Sequence, residues 1–220
     1  MRYPELVCYS NFTFQVGASH PQELIHRAKE LGYSAIAITD ECSLAGIVRA
    51  HDAAKEAGIK LIVGSRFNLP EGDAVVLLAP TQTAYTQLCR LITDAKREAK
   101  KGTYEITREN FRRGLEHCIG LWIPGRAVHE MHARWFASLP FSHSALAFTD
   151  TLAQNDERRL QALQTLSRTL EIPLAAVGDV HYHERGRRHL HDVLTAIRLK
   201  TTVDGIGRAA LANGERHLRP

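Results

Sequence analysis

The sequence predicts an α/β fold in which seven parallel strands close in the manner of a barrel. Three observations carry that prediction. Seven short runs rich in Val, Ile, Leu and Ala recur along the chain. Longer stretches with apolar residues at helical spacing separate them. The length of 220 residues, with 44% hydrophobic and 24% charged side chains, suits one soluble domain of ordinary size. Nearly continuous apolar runs are what strands buried on both faces need. Their alternation with helices is the pattern of a parallel sheet.

The predicted strands are 5–9, 35–38, 60–64, 74–79, 118–123, 143–148 and 173–178. The predicted helices are 21–32, 43–58, 81–102, 128–139, 156–171 and 185–200. The first helix has Pro21 in its opening turn, apolar Leu24, Ala28 and Leu31 along one face, and Gly32 as a stop. Gly58 ends the second in the same way. The third is the longest, and its basic last turn suits the helix dipole. Residues 101–116 read as a short extra helix rather than a domain boundary. The closing stretch TVDGIGRAALANGERHLRP has no clear period and reads as a loop or the start of something further.

Composition narrows the function. No apolar run approaches the length of a membrane span. The opening MRYPELVCYSNFTF lacks the basic-then-apolar pattern of a signal peptide, so the chain is expected to stay in the cytosol. Cys8, Cys42, Cys89 and Cys118 lie far apart with no CxxC pair, which excludes a zinc ribbon. The formal charge of +4 falls wholly in residues 111–220, with 15 basic and 11 acidic side chains. Such a face is compatible with a phosphate backbone nearby, or simply with solvent. GxGxxG, GxxxxGK[ST], GxSxG and HExxH are all absent.

Chemistry in a parallel barrel sits at the carboxyl ends of the strands. Asp40-Glu41 follows the second strand, Ser65-Arg66 the third, Thr149-Asp150 the sixth, and Asp179-Val180-His181 the seventh. Asp40, Glu41, Asp179 and His181 would converge on one rim, and carboxylates with imidazole suit zinc or manganese. An Asp-x-His pair in extended chain puts both side chains on one face. An aspartate at a βα junction is also a common helix cap or turn residue, and that reading stands beside the ligand one. His189 and His191 are two apart on a helix and cannot face each other, so they read as surface or packed residues. Arg66 would repel a metal but pair well with carboxylates.

The motifs SNFTF, GASHPQEL and AITDECSLAG stand in that order, followed by VVLLAPTQTAYTQLCRLIT, GLWIPG, GDVHYHERGRRHLHDVLTAIRLKTTV and NGERHLR. Over nearly its whole length the chain resembles the N-terminal PHP (polymerase and histidinol phosphatase) domain of bacterial C-family DNA polymerases. The likeness is strongest to the error-prone, damage-induced relatives of the polymerase III alpha subunit. The resemblance implies a distorted seven-stranded (β/α) barrel over residues 1–200, with 201–220 beginning a linker to a polymerase core. It implies a parent that carries out template-directed synthesis in translesion synthesis and damage-induced mutagenesis. That parent would use Mg²⁺, bind DNA, and have its remaining domains, a sliding clamp and other mutagenesis proteins as partners, with no membrane.

Active PHP domains hold metals through a set that this chain matches poorly. The opening His-x-His positions are Val7 and Tyr9, the next ligand is Val16, the Asp-His pair is Asp40-Glu41, and the glutamate after strand three is Arg66. The terminal Asp-x-His is intact as Asp179 and His181, and the two middle ligands fall near Arg126 and His143. The resemblance therefore implies a dismantled metal centre, no catalytic residue, no cofactor in this fragment, and a structural role. Any residual metal would sit on Asp179, His181 and Glu41, with Arg66 expected to donate to Glu41 or Asp179 in its stead. Two other classes remain: a Zn²⁺- or Mn²⁺-dependent phosphoesterase or 3′–5′ proofreading exonuclease, and a pure interaction module.

Overall fold

The computed structural model describes residues 3–220. Seven strands lie in one sheet in sequence order. They are β1 (Pro4–Glu5), β2 (Ala35–Ile38), β3 (Lys60–Asn68), β4 (Ala74–Leu78), β5 (Ile119–Ile123), β6 (His143–Phe148) and β7 (Leu174–Ala176). The helices are α1 (Pro21–Glu30), α2 (Ile47–Ala57), α3 (Gln82–Arg97), α4 (Glu130–Ala137), α5 (Asp156–Leu170) and α6 (Arg188–Leu199). This is the α/β class and strand count that the sequence predicts.

The local signals act as read. His20 N donates to Glu23 Oε2 at 2.8 Å ahead of Pro21, which opens α1. Gly58 takes the left-handed conformation (φ 62°) that closes α2. Thr81 Oγ1 accepts from Ala84 N at 3.2 Å and starts α3.

Strand direction departs from the prediction. β1–β2, β5–β6 and β6–β7 are parallel, but β4 runs antiparallel to both β3 and β5. The reason lies in Leu69–Asp73, which joins β3 to β4 without a helix. Leu69 N donates to Asp73 O at 2.9 Å, and Gly72 has φ 93°. So short a connection permits only antiparallel pairing. β3 also runs on to Asn68, so Arg66 lies inside a strand, opposite Val76, and not beyond its end. Between 101 and 116 the helical part is one 3₁₀ turn, Arg108–Phe111.

The chain divides into two compact units. Unit 1 is Met1–Ile62, Thr151–Ala153 and Gly178–Pro220; unit 2 is Val63–Asp150 and Gln154–Val177. The core of unit 1 packs Leu24, Ile25 and Ala28 of α1 and Ala50, Ala53 and Ala54 of α2 on Ile36 and Ile38 of β2, with Cys8, Val180 and Leu218. The segment expected to begin a linker is thus built into this unit. His217 pairs with Tyr182, Leu218 is fully buried, and Tyr33 Oη donates to Arg219 O at 2.7 Å. An apolar side chain with an open core beside it gains by entering it. Unit 2 is centred on the buried aromatics Phe67, Phe111, Trp122 and Phe136. Phe67 and Phe111 meet edge to face with ring centroids 5.9 Å apart.

Candidate functional site

In unit 1, chain just past β1 meets chain that follows Gly178. Tyr9 N donates to Val180 O at 2.8 Å, Val180 N donates to Val7 O at 2.9 Å, and Cys8 pairs with Val180. This register brings Val7, Tyr9, Asp179 and His181 to one place. Val7 is fully buried and offers only its backbone. The Tyr9 ring stands edge-on to His181, with centroids 4.9 Å apart. Val16 lies in the following turn, its N–H bonded to Thr13 O at 3.0 Å.

The carboxylates that could bind a cation are used by the fold. Asp40, just past β2, is buried and accepts three hydrogen bonds: from Ser10 N at 2.8 Å, Ser10 Oγ at 2.6 Å and Thr13 Oγ1 at 2.7 Å. Burial pushes its pKa up, and the Ser10 and Thr13 donors pull against that. Thr13 Oγ1 also accepts from Glu41 N at 3.0 Å, so one hydroxyl serves both residues of the pair. Gly46 completes this knot, because a Cβ there would stand 2.9 Å from Asp40 Oδ2.

Asp179 takes φ 46° and ion-pairs with Arg216 through Oδ2. A guanidinium that faces this aspartate thus comes from residue 216. The Arg216 carbonyl accepts from His181 N at 2.9 Å, which fixes the same segment from the backbone side. His181 Nδ1 lies 3.3 Å from Nε2 of His191, a buried residue of α6. Burial holds His191 below the ordinary histidine pKa. His183 Nδ1 meets Ser19 Oγ at 2.8 Å, and that hydroxyl accepts from His183 N at 2.9 Å.

In unit 2, Arg66 donates from Nε to Asn68 Oδ1 at 2.9 Å, and His143 is the exposed first residue of β6. Asp73 of the same unit is buried and accepts from Trp122 Nε1 at 2.8 Å.

Sequence reasoning missed Glu5. This buried carboxylate accepts from Val7 N at 2.9 Å, Gly178 N at 2.9 Å and Tyr3 Oη at 3.0 Å. Burial outweighs these donors and raises its pKa to about 7. A Cβ at position 178 would stand 2.5 Å from Glu5 Oε2, which accounts for glycine there. The available signal was a charged residue inside an apolar run. Arg216 was missed because NGERHLR has no period to place it.

Among the described residues, no three His, Cys, Asp or Glu side chains come together as a metal site. Valines stand at two positions where the resemblance expects ligands, Asp40 accepts from hydroxyl and amide donors, and Asp179 faces a guanidinium. The residues present do not fit the multinuclear centre of an active PHP domain.

Comparison with known proteins bears on the family and the fold. The PHP domain profile matches residues 5–172. The error-prone DNA polymerase of Pseudomonas fluorescens is 49% identical over 218 residues, covering 99% of this chain and 21% of the relative. That of Methylococcus capsulatus is 46% identical over 219 residues, with 99% and 21% covered. The chain therefore spans about a fifth of the length of these curated relatives. Among solved structures, an amidohydrolase from Chromobacterium violaceum superposes with a TM-score of 0.56 at 14% identity, over 81% of this chain and 87% of that one. A protein from Bifidobacterium adolescentis, proposed to be a metal-dependent phosphoesterase, gives 0.56 at 14% identity over 82% and 88%. At that identity the likeness concerns the fold alone. The profile match across most of the sequence, on a seven-stranded α/β sheet, identifies this chain as a member of the PHP domain family.

Proposed function

We propose that this chain is the PHP module of an error-prone DNA polymerase, whose full protein copies DNA in translesion synthesis and damage-induced mutagenesis in the cytoplasm. The observation that supports it is identity near one half along 99% of the chain to polymerases about five times as long. The module's own role is structural. Its former metal rim is wired into hydrogen bonds and one ion pair that hold the fold, with Asp40, Asp179 and His181 as fixtures. Its partners are the remaining polymerase domains, with the sliding clamp and other mutagenesis proteins further out. Among the described residues no helix is long and apolar enough to cross a membrane.

One surface suits docking to the polymerase core. Leu190, Val193 and Ile197 stand at helical spacing on α6 and are 40%, 42% and 53% exposed. An apolar stripe of that kind is costly in water and marks a contact face.

Activity tests the reading. With primed template, nucleotides and Mg²⁺, the chain is expected to extend nothing. With Mn²⁺ or Zn²⁺ and a model phosphodiester it is expected to release no product. Turnover that survives repurification and is lost in Asp179→Ala would establish a phosphoesterase instead.

A further inference from the structure

A cluster of cations within unit 2 lines a cavity of its own. Strands β5 and β6 are parallel, and the loops beyond their carboxyl ends lead into α4 and α5. In α/β sheets the crevice outside such strand ends is where ligands bind. Here those loops and the first turns of α5 enclose a cavity of about 460 Å³. Asn155, Arg158, Arg159 and Ala162 line it at i, i+3, i+4 and i+7, one face of α5. Arg126 lines it from the loop after β5.

The charge there is not balanced. Arg126, Arg158 and Arg159 have no ion-pair partner among the described residues, although Arg134 on neighbouring α4 is paired with Glu130. Arg159 Nε is buried without a hydrogen-bond partner. Leaving a buried charged donor unsatisfied costs more than an ordinary hydrogen bond returns. The Asn155 side chain makes no capping bond either, so its amide is available to the cavity. Asp156 and Glu157 occupy the first turn of α5, so its dipole adds little and the guanidinium groups carry the site. The other cavity that Arg126 lines also holds Glu71 and Asp73, and that side repels an anion.

We propose that this cavity binds phosphate groups, with Arg158 and Arg159 as bidentate donors and Arg126 closing the charge from the opposite loop. Guanidinium forks match phosphate oxygens in pairs. Three unpaired cations favour a ligand of charge two or more over a single carboxylate, and the volume admits a diphosphate or a phosphodiester link of a single strand. The inference does not depend on the polymerase assignment.

The test uses the 220-residue chain with inorganic phosphate, pyrophosphate and a single-stranded oligodeoxythymidylate. Binding is read by amide chemical shifts and fluorescence anisotropy. Pyrophosphate is expected to shift amides at 126–128 and 155–162. Arg158→Gln/Arg159→Gln is expected to weaken binding at least tenfold at an unchanged melting temperature. Arg158→Lys/Arg159→Lys should retain part of the affinity, because charge survives while the fork is lost. Lys100→Gln/Lys101→Gln, an equal charge change on an exposed turn, should alter it less than twofold. If the strand is bound through this site, the double arginine variant lowers its logarithmic salt slope by about 1.4. Pyrophosphate binding without strand binding assigns the site to small phosphorylated ligands. Failure of all three probes to bind, or equal losses in the arginine and lysine variants, overturns the proposal.

Discussion

Both units bury a carboxylate, but they differ in the charge left without a partner. Unit 1 turns its carboxylates inward: Glu5 gathers backbone amides, Asp40 gathers hydroxyls, and Asp179 meets a guanidinium. Unit 2 leaves three guanidinium groups around a cavity with no ion-pair partner among the described residues. A polar group satisfied by its own chain works for stability. One held in place without a partner keeps its hydrogen-bonding capacity for something else. By that criterion the carboxylates of unit 1 serve the fold, and the arginine face of unit 2 keeps capacity for a ligand.

The sharpest way to break the contrast is Asp40→Ala. It strands Ser10 N, Ser10 Oγ and Thr13 Oγ1 in a buried site, and urea unfolding should register a loss of about 3–5 kcal/mol. Asp40→Asn keeps acceptors for Ser10 N and Thr13 and should cost far less. Equal, small effects for both would mean that the knot contributes little and that Asp40 is still available as a ligand.

Next in size is a pH effect. The Glu5 carboxyl titrates at about 7 in the fold, against an ordinary value of 4.5. The folded state holds the proton more tightly, so Glu5 favours folding at low pH. That contribution is complete below pH 4.5 and is lost as pH rises through 7, by roughly 3 kcal/mol in all. His183 and His191, both lowered by burial, act in the opposite sense, since their contribution is lost as pH falls. The difference between the wild type and Glu5→Gln isolates the carboxylate. A wild-type curve that stays parallel to the variant across this window would remove the argument.

Arg216→Ala should cost about 2–3 kcal/mol, short of the full value for a buried pair, because the arginine side chain keeps some exposure. Asp179→Asn keeps a residue that tolerates the left-handed backbone and removes the charge. The two changes together should cost less than their sum, and strict additivity would show that the pair is not coupled. The smallest effect is expected on α6. Val193→Lys with Ile197→Lys should alter the stability of the isolated chain by no more than about 0.5 kcal/mol. The same variant should abolish copurification of this chain with the rest of its polymerase if the stripe is the docking face.

Much of the fold can be read before any coordinates are seen. The second strand is predicted at its observed bounds, and Gly58 marks the end of α2. These depend on period and on backbone freedom, both local properties. Strand direction is not local in that sense. LPEGD is a turn whichever way the next strand runs, and only the absence of a helix between β3 and β4 decides it. The roles of the rim residues were not legible. That Asp40 serves Ser10 and Thr13 depends on partners some thirty residues away. That a guanidinium meets Asp179 was foreseeable as chemistry, while Arg216 as its source was not, because the tail carries no signal of where it packs. His191, left open as a surface or packed residue, is packed, and its meeting with His181 needed the fold.

The division of the chain bears on how it is made. The helix-free link between β3 and β4 belongs to the class of connection that closes within microseconds, and all of unit 2 lies within one continuous middle stretch apart from three residues. Unit 1 is assembled from both ends. Cys8 waits for Val180, Tyr182 for His217, and the core for Leu218. On a ribosome that releases residues from the N-terminus onward, unit 2 can fold while the opening segment still lacks its partners. Leu24, Ile36 and their N-terminal neighbours can then pack on one another, while the contacts with Val180 and Leu218 form only after those residues emerge.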